Sequence, residues 1–164
     1  MSKVVKSLGI AVLACGCVFS VLGGDGANLL KQWSLYGTAG ASVIQDDGAI
    51  ACECKSVYDS SGVNQIVVLD QKEAKVVEFS AESKAENVSG DADAQNYSIY
   101  LDIVHTDGTN TFGITSAFKT GSHDWEKVSL SYTPTKPIKS LNFILLFRNK
   151  TGKVWFKNAV LIQK

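Results

Sequence analysis

Arginine is nearly missing from this chain of 164 residues: Arg148 stands alone among 16 basic residues, set against 16 acidic ones. The lysines are scattered among the acids, which excludes the basic stripe of a nucleic-acid-binding domain. Histidine is also scarce. His105 and His123 are far apart in the chain, and nothing in the sequence gathers imidazoles into a metal site. The two prolines, Pro134 and Pro137, share one turn, where they set φ and remove two ladder donors. Cysteine is down to Cys52 and Cys54 once Cys15 and Cys17 are assigned to an apolar leader. At a spacing of two on a strand, both thiols point to one face, where a bond between them would strain the backbone. They read as small core residues, and a chain of this length needs no disulfide to fold. Beyond the leader, long helical periodicity, internal repeats and low-complexity linkers are lacking too.

What is present begins with that leader. Lys3 and Lys6 precede an apolar run from Leu8 to Leu22, shorter than the roughly 20 residues a spanning helix needs. Small residues follow at Gly23-Gly24. Residues 1–24 are therefore expected to be a signal peptide, which implies a secreted, cell-surface or periplasmic protein. Cys15 or Cys17 as a lipid anchor is the alternative. No transmembrane segment is expected once the leader is removed.

The remainder reads as strands. Val77, Phe79 and Ala81 alternate with Glu78, Ser80 and Glu82; Tyr97, Ile99, Leu101, Ile103 and His105 alternate with Ser98, Tyr100, Asp102 and Val104. Val128, Leu130 and Tyr132 form one face, as do Leu141, Phe143, Leu145 and Phe147. A closing run is expected to put Val154, Phe156, Val160 and Ile162 on one face, with Asn158 as its polar exception. Asn28–Tyr36 is expected to be the first strand, and the polar stretch Asn87–Gln95 a loop. About ten strands predict an all-β protein, a two-sheet antiparallel β-sandwich of the jelly-roll kind over residues 28–164.

Three stretches then carry a likeness: Asn28-Leu29-Leu30 with Trp33, Gly62-Val63-Asn64-Gln65-Ile66-Val67-Val68-Leu69, and Val77–Lys84. With Thr120–Trp125 and Gly152–Val160 near the end, the chain resembles bacterial carbohydrate-binding modules of the families-four-and-nine type. The resemblance implies a galactose-binding-like jelly roll and a polysaccharide or glycan as partner. It also brings a structural calcium. That family's closing strand carries an Asp after its aromatic pair, but this chain has Lys157 there, so no cofactor is expected.

Sugar binding calls for aromatic faces beside planar polar groups. Trp33, Tyr36, Tyr58, Tyr100, Trp125 and Trp155 are the aromatic candidates, with Trp125 set at a strand start where such a ring plugs the end of a sandwich. Glu78, Glu82, Tyr100, Asp102, Asn142 and Arg148 would line one groove if their strands share a sheet. Gln65 comes from the resemblance. The expected glycan-contacting set is Trp33, Tyr58, Gln65, Tyr100, Asp102, Asn142, Arg148 and Trp155. Catalysis is not expected, because the adjacent Ser122-His123-Asp124 is not how triads are assembled. The competing reading is an exported structural or adhesion-type sandwich that offers the same surface to a protein.

Overall fold

Each alternating run of the sequence becomes a strand in the computed structural model, which describes residues 26–90 and 92–164. The expected leader, with Cys15 and Cys17, lies outside the described residues. The strands are β1 (Ser34–Gly37), β2 (Ser42–Ile44), β3 (Ile50–Cys54), β4 (Ser60–Val68), β5 (Val77–Gly90), β6 (Tyr97–His105), β7 (Asn110–Ala117), β8 (Gly121–Tyr132), β9 (Ile138–Arg148) and β10 (Lys150–Gln163). They form two five-stranded sheets, ordered β1-β4-β9-β6-β7 and β2-β3-β10-β5-β8. Neighbouring strands are antiparallel throughout. The protein is an antiparallel jelly-roll sandwich. Among the described residues no helix is long and apolar enough to cross a membrane.

The period of two decides which residues meet between the sheets. Phe143, Leu145 and Phe147 from β9 face Phe79 and Ala81 from β5 and Val154 and Phe156 from β10, all buried. Tyr97 sits among Phe118, Phe147 and Phe156, with ring centroids 5.1, 5.6 and 6.0 Å away. Its hydroxyl is satisfied by Ser83 Oγ at 2.6 Å. Cys52 and Cys54 are buried free thiols on this inner side. Burial pushes the Cys52 thiol up to about 11 and the Cys54 thiol up to about 12.

Three expectations need correction. Asn28–Tyr36 is not one strand, because the segment crosses from one sheet to the other. Leu29 N donates to Leu161 O on β10 at 2.9 Å, whereas Ser34 pairs with Asn64 on β4. A residue row cannot stay in one ladder while it changes sheets. The Asn87–Gln95 loop is shorter than expected, since β5 runs on to Gly90 and Ala94–Asn96 forms a 3-10 turn. The closing strand also changes face midway. Asn158 takes φ 51°, and the pairing of β10 with β5 shifts between Lys157 and Val160. That extra residue is a bulge. It turns Leu161 into the core in place of Val160 and Ile162.

Central strand β9 is apolar on both sides. Ile144 and Leu146 point away from the core yet are only 6% and 2% exposed. Their cross-strand neighbours are Asn64 and Tyr100 for Ile144, and Gly62 and Ser98 for Leu146. Gly62 must be glycine: at φ 145°, a Cβ there would fall against the Leu145 carbonyl oxygen. The outer side of this sheet therefore has a covered apolar floor flanked by polar and aromatic side chains.

Candidate functional site

The outer side of β1-β4-β9-β6-β7 collects four of the expected residues. Asp102 on β6 pairs directly with Asn142 on β9, and Tyr100 pairs with Ile144 one row along. Arg148 ends β9 on the same side, where its Nε donates to Asn96 Oδ1 at 2.9 Å. Two further residues join them. Asn64 on β4 donates through Nδ2 to Asn142 Oδ1 at 3.1 Å. Tyr36 on β1 pairs with Gly62. Tyr100 is the hub of this group. Burial, then the negative charge of Asp102, raises its pKa, while Arg148 acts in the opposite sense and Tyr36 adds to the rise.

The far end of the same side is apolar. Ile66 pairs with Asn142 and Val68 with Ser140, and both are largely exposed. Phe112 on β7 is 68% exposed at a bulge, where the pairing with β6 shifts between Leu101 and Ile103 and Gly113 takes φ 76°. Chemically the surface combines flat apolar contacts with amide, carboxylate, phenol and guanidinium groups. That combination suits the two aspects of a sugar ring, its C–H face and its hydroxyls.

The other expected residues lie elsewhere. Trp33 packs on the core, with its ring 5.9 Å from that of Phe143. Gln65 is a tie for the amino-terminal segment: its Oε1 accepts from Lys31 N at 2.7 Å and Gln32 N at 3.0 Å, and its Nε2 donates to Leu29 O at 3.3 Å. With every polar atom so engaged, Gln65 does not join the Tyr100 group. Tyr58, 94% exposed, sits in the loop leading to Ser60, the residue that pairs with Arg148.

Trp155 belongs to the opposite sheet, between Lys84 and Lys153, whose ammonium groups lie 5.4 and 5.1 Å from its ring centroid. Glu78 and Glu82 are on that sheet too, so the single groove expected for them and Tyr100 does not form. Instead they pair with Lys164 and Lys157 at 3.2 and 3.7 Å. Trp125 is not a plug at the sandwich end; it lies under Lys157 Nζ, 3.8 Å from the ring centroid. Among the described residues, no three His, Cys, Asp or Glu side chains gather as a metal site.

Sequence reasoning missed Asn64, Ile66 and Phe112. Asn64 and Ile66 lie in the stretch that pointed to Gln65, and the period of two puts them on the other side of β4 from it. Phe112 carried one usable signal, a glycine directly after it inside a strand, which marks a bulge. No triad forms at 122–124. Ser122 Oγ accepts from Asn87 N at 2.8 Å, the His123 ring nitrogens meet the Asp124 and Lys119 carbonyl oxygens at 2.7 and 3.0 Å, and Asp124 Oδ1 accepts from Trp125 N at 2.8 Å. His105 is buried, with Nε2 2.9 Å from Thr111 Oγ1.

Known proteins share this architecture. The carbohydrate-binding module TmCBM61, solved in complex with β-1,4-galactotriose, superposes with a TM-score of 0.56 at 14% identity, covering 84% of this chain and 99% of that one. The CBM22-1–GH10 modules of the Clostridium thermocellum endo-1,4-β-D-xylanase 10B, complexed with xylohexaose, give 0.51 at 12% identity, over 80% of this chain and 26% of that one. The chain shares the β-sandwich fold of these two structures. The same sandwich also matches the enzymatically active domain of the bacteriophage CBA120 tailspike protein 4, with a TM-score of 0.57 at 11% identity, over 81% of this chain and 19% of that one. No protein-family profile matches the chain. In sequence it is similar to the tRNA nuclease WapA of Bacillus subtilis strain 168, 29% identical over 144 residues, and to the tRNA3(Ser)-specific nuclease WapA of Bacillus spizizenii, 28% identical. The match takes in 81% of this chain but 6% of those proteins, so it concerns one small part of each.

Proposed function

We propose that the protein is an exported, non-catalytic carbohydrate-binding module of the families-four-and-nine type, with a glycan lying along the outer side of β1-β4-β9-β6-β7. The observation that carries this reading is the convergence of Tyr36, Asn64, Tyr100, Asp102, Asn142 and Arg148 from four strands onto one sheet surface. Rings supply the stacking area and the amides and carboxylate meet hydroxyls. The neighbouring β9 side chains Ile144 and Leu146 form a dry floor that keeps these groups in place. Export rests on the leader, and the lipid anchor at Cys15 or Cys17 remains its alternative form. No calcium is assigned, since Lys157, at the position where the family has an Asp, points its ammonium at Trp125 and Glu82.

Affinity electrophoresis against plant, algal and microbial polysaccharides tests the reading. At least one gel should retard the protein, and Tyr100→Ala should abolish most of the retardation. Passage through every gel at the rate of an inert control would end it. The second reading, a structural or adhesion-type sandwich that binds a protein, is favoured by the exposure of Ile66, Val68 and Phe112 on this same side. In that case Phe112→Ser would weaken partner capture and no polysaccharide would retard the chain.

A further inference from the structure

Four of the described strands end the two sheets, β1 and β7 in one and β2 and β8 in the other. An end strand offers a row of unpaired N–H and C=O groups, and natural sandwiches blunt such rows by shortness, bulges or charge. β1 has 4 residues and β2 has 3. β7 is interrupted by its bulge, where Gly113 takes φ 76°. β8 is the long, regular one. It runs for 12 residues, and its residues 126–132 stay in unbroken register with residues 77–83 of β5.

The side chains of that stretch alternate. Val128, Leu130 and Tyr132 turn toward the core yet are only partly buried, as is Ile114 on β7, the neighbouring edge of the other sheet. Lys127, Ser129 and Ser131 turn outward and are exposed. Core-facing side chains of an end strand stay half covered until another strand lies beside them. From β7, Ser116 Oγ donates to Ser129 O at 3.4 Å, and that carbonyl keeps a second lone pair for another donor.

We propose that residues 126–132 of β8 form a self-association edge, at which a second copy of the chain pairs its own β8 antiparallel about Ser129. The occupant follows from the strand itself. With Ser129 on the two-fold axis, Val128 lies opposite Leu130 of the second copy, Lys127 opposite its Ser131 and Glu126 opposite its Tyr132. Core-facing residues then meet core-facing ones, outward residues meet outward ones, and no like charges oppose each other. Lys127, the one lysine of the strand and a usual guard of such an edge, faces a serine. Pairing over this length buries less than the roughly 1,600 Å² of a standard interface, which makes the dimer weak and concentration-dependent.

The joined sheet has five strands from each copy. Its two-fold axis stands perpendicular to it, so both copies turn the outer side of β1-β4-β9-β6-β7 the same way. On the carbohydrate-binding reading, one polymer is then held twice. The pairing itself does not rest on that reading.

Sedimentation equilibrium of residues 26–164, which hold both sheets and the core without the apolar run at the amino terminus, tests the pairing. Wild type should pass from monomer to dimer as concentration rises, and the amides of residues 127–131 should gain hydrogen-exchange protection in step. Ser129→Lys sets two ammonium groups against each other at the axis and should weaken association at least tenfold. Ser131→Glu sets a carboxylate opposite Lys127 of the second copy and should tighten it. Both positions are exposed, so neither change touches the core. Thr115→Lys, on β7, should leave the dimer as it is. Wild type that stays monomeric up to about 1 mM would overturn the proposal. So would a dimer that Ser129→Lys leaves within twofold of wild type, that Ser131→Glu weakens, or that Thr115→Lys disrupts. No polysaccharide enters the experiment, so its failure and that of the carbohydrate reading are separate.

Discussion

Asn64 Nδ2 reaches across from β4 to Asn142 Oδ1 on β9 at 3.1 Å, an amide-to-amide bond in the middle of the proposed binding surface. It orients both side chains and leaves the Asn142 Nδ2 edge toward Asp102. A neutral hydrogen bond of this kind contributes about 1 kcal/mol net. Asn64→Ala should therefore weaken the preferred glycan about five- to tenfold by calorimetry, although any direct contact of Asn64 with sugar is lost as well. The double variant with Asn142→Ala should be little worse than Asn142→Ala alone. Fully additive losses would show that the two amides act independently.

Phe143 lies at the centre of the core, with the Trp33 ring 5.9 Å and the Phe79 ring 6.3 Å away. Phe143→Ala should cost roughly 3–5 kcal/mol in denaturant unfolding. A loss below about 1 kcal/mol would mean that the ring does not fill the space between the sheets.

The cysteines offer a reading of burial. With Cys52 raised to about 11 and Cys54 to about 12 by burial, the reactive thiolate is scarce in the native state at pH 8. Labelling with a thiol reagent at that pH should be slow until denaturant is added, then complete. Because the native thiols resist ionisation, their stabilising contribution is intact below the ordinary thiol pKa of about 8.5 and declines as pH rises through 11 to 12. Rapid native-state labelling of either residue would contradict the packing described for the β3 side of the core.

Asp107 in the β6–β7 turn accepts from Lys136 Nζ at 2.8 Å and from Thr109 Oγ1 at 2.6 Å. The Lys136 bond, then those from Thr109, hold its carboxyl well below the usual carboxylate range. Its contribution is present above the ordinary Asp pKa of about 3.9 and is lost as pH falls through the lower folded value. Carboxyl NMR titration should find Asp107 ionised at pH 3, and Lys136→Ala should move its midpoint upward. An unchanged midpoint in that variant would remove Lys136 as the cause.

The strand pattern was readable because a half-buried antiparallel strand must alternate, as Val77–Glu82 of β5, Tyr97–His105 of β6 and Lys127–Tyr132 of β8 do, whereas β9 is apolar on both sides from Phe143 to Phe147. The same rule located Tyr100, Asp102, Asn142 and Arg148 on outward positions, though not on a common sheet. It failed at Asn158, where one residue in the left-handed region shifts the phase of everything after it; an asparagine alone does not announce that. It also failed at Gln65. A glutamine in a strand gives no sign that a segment more than thirty positions earlier will take all its hydrogen bonds.

Alternation and turn chemistry within the chain, then, determined that this protein would be a sandwich and which side chains would turn outward. Strand order decided the rest. The placement of β6 beside β9, with β5 and β10 in the other sheet, separates Tyr100 from Trp155 and brings Asp102 next to Asn142. These are pairings between residues far apart in sequence, set by how two apolar faces close on each other, and local periodicity does not encode them.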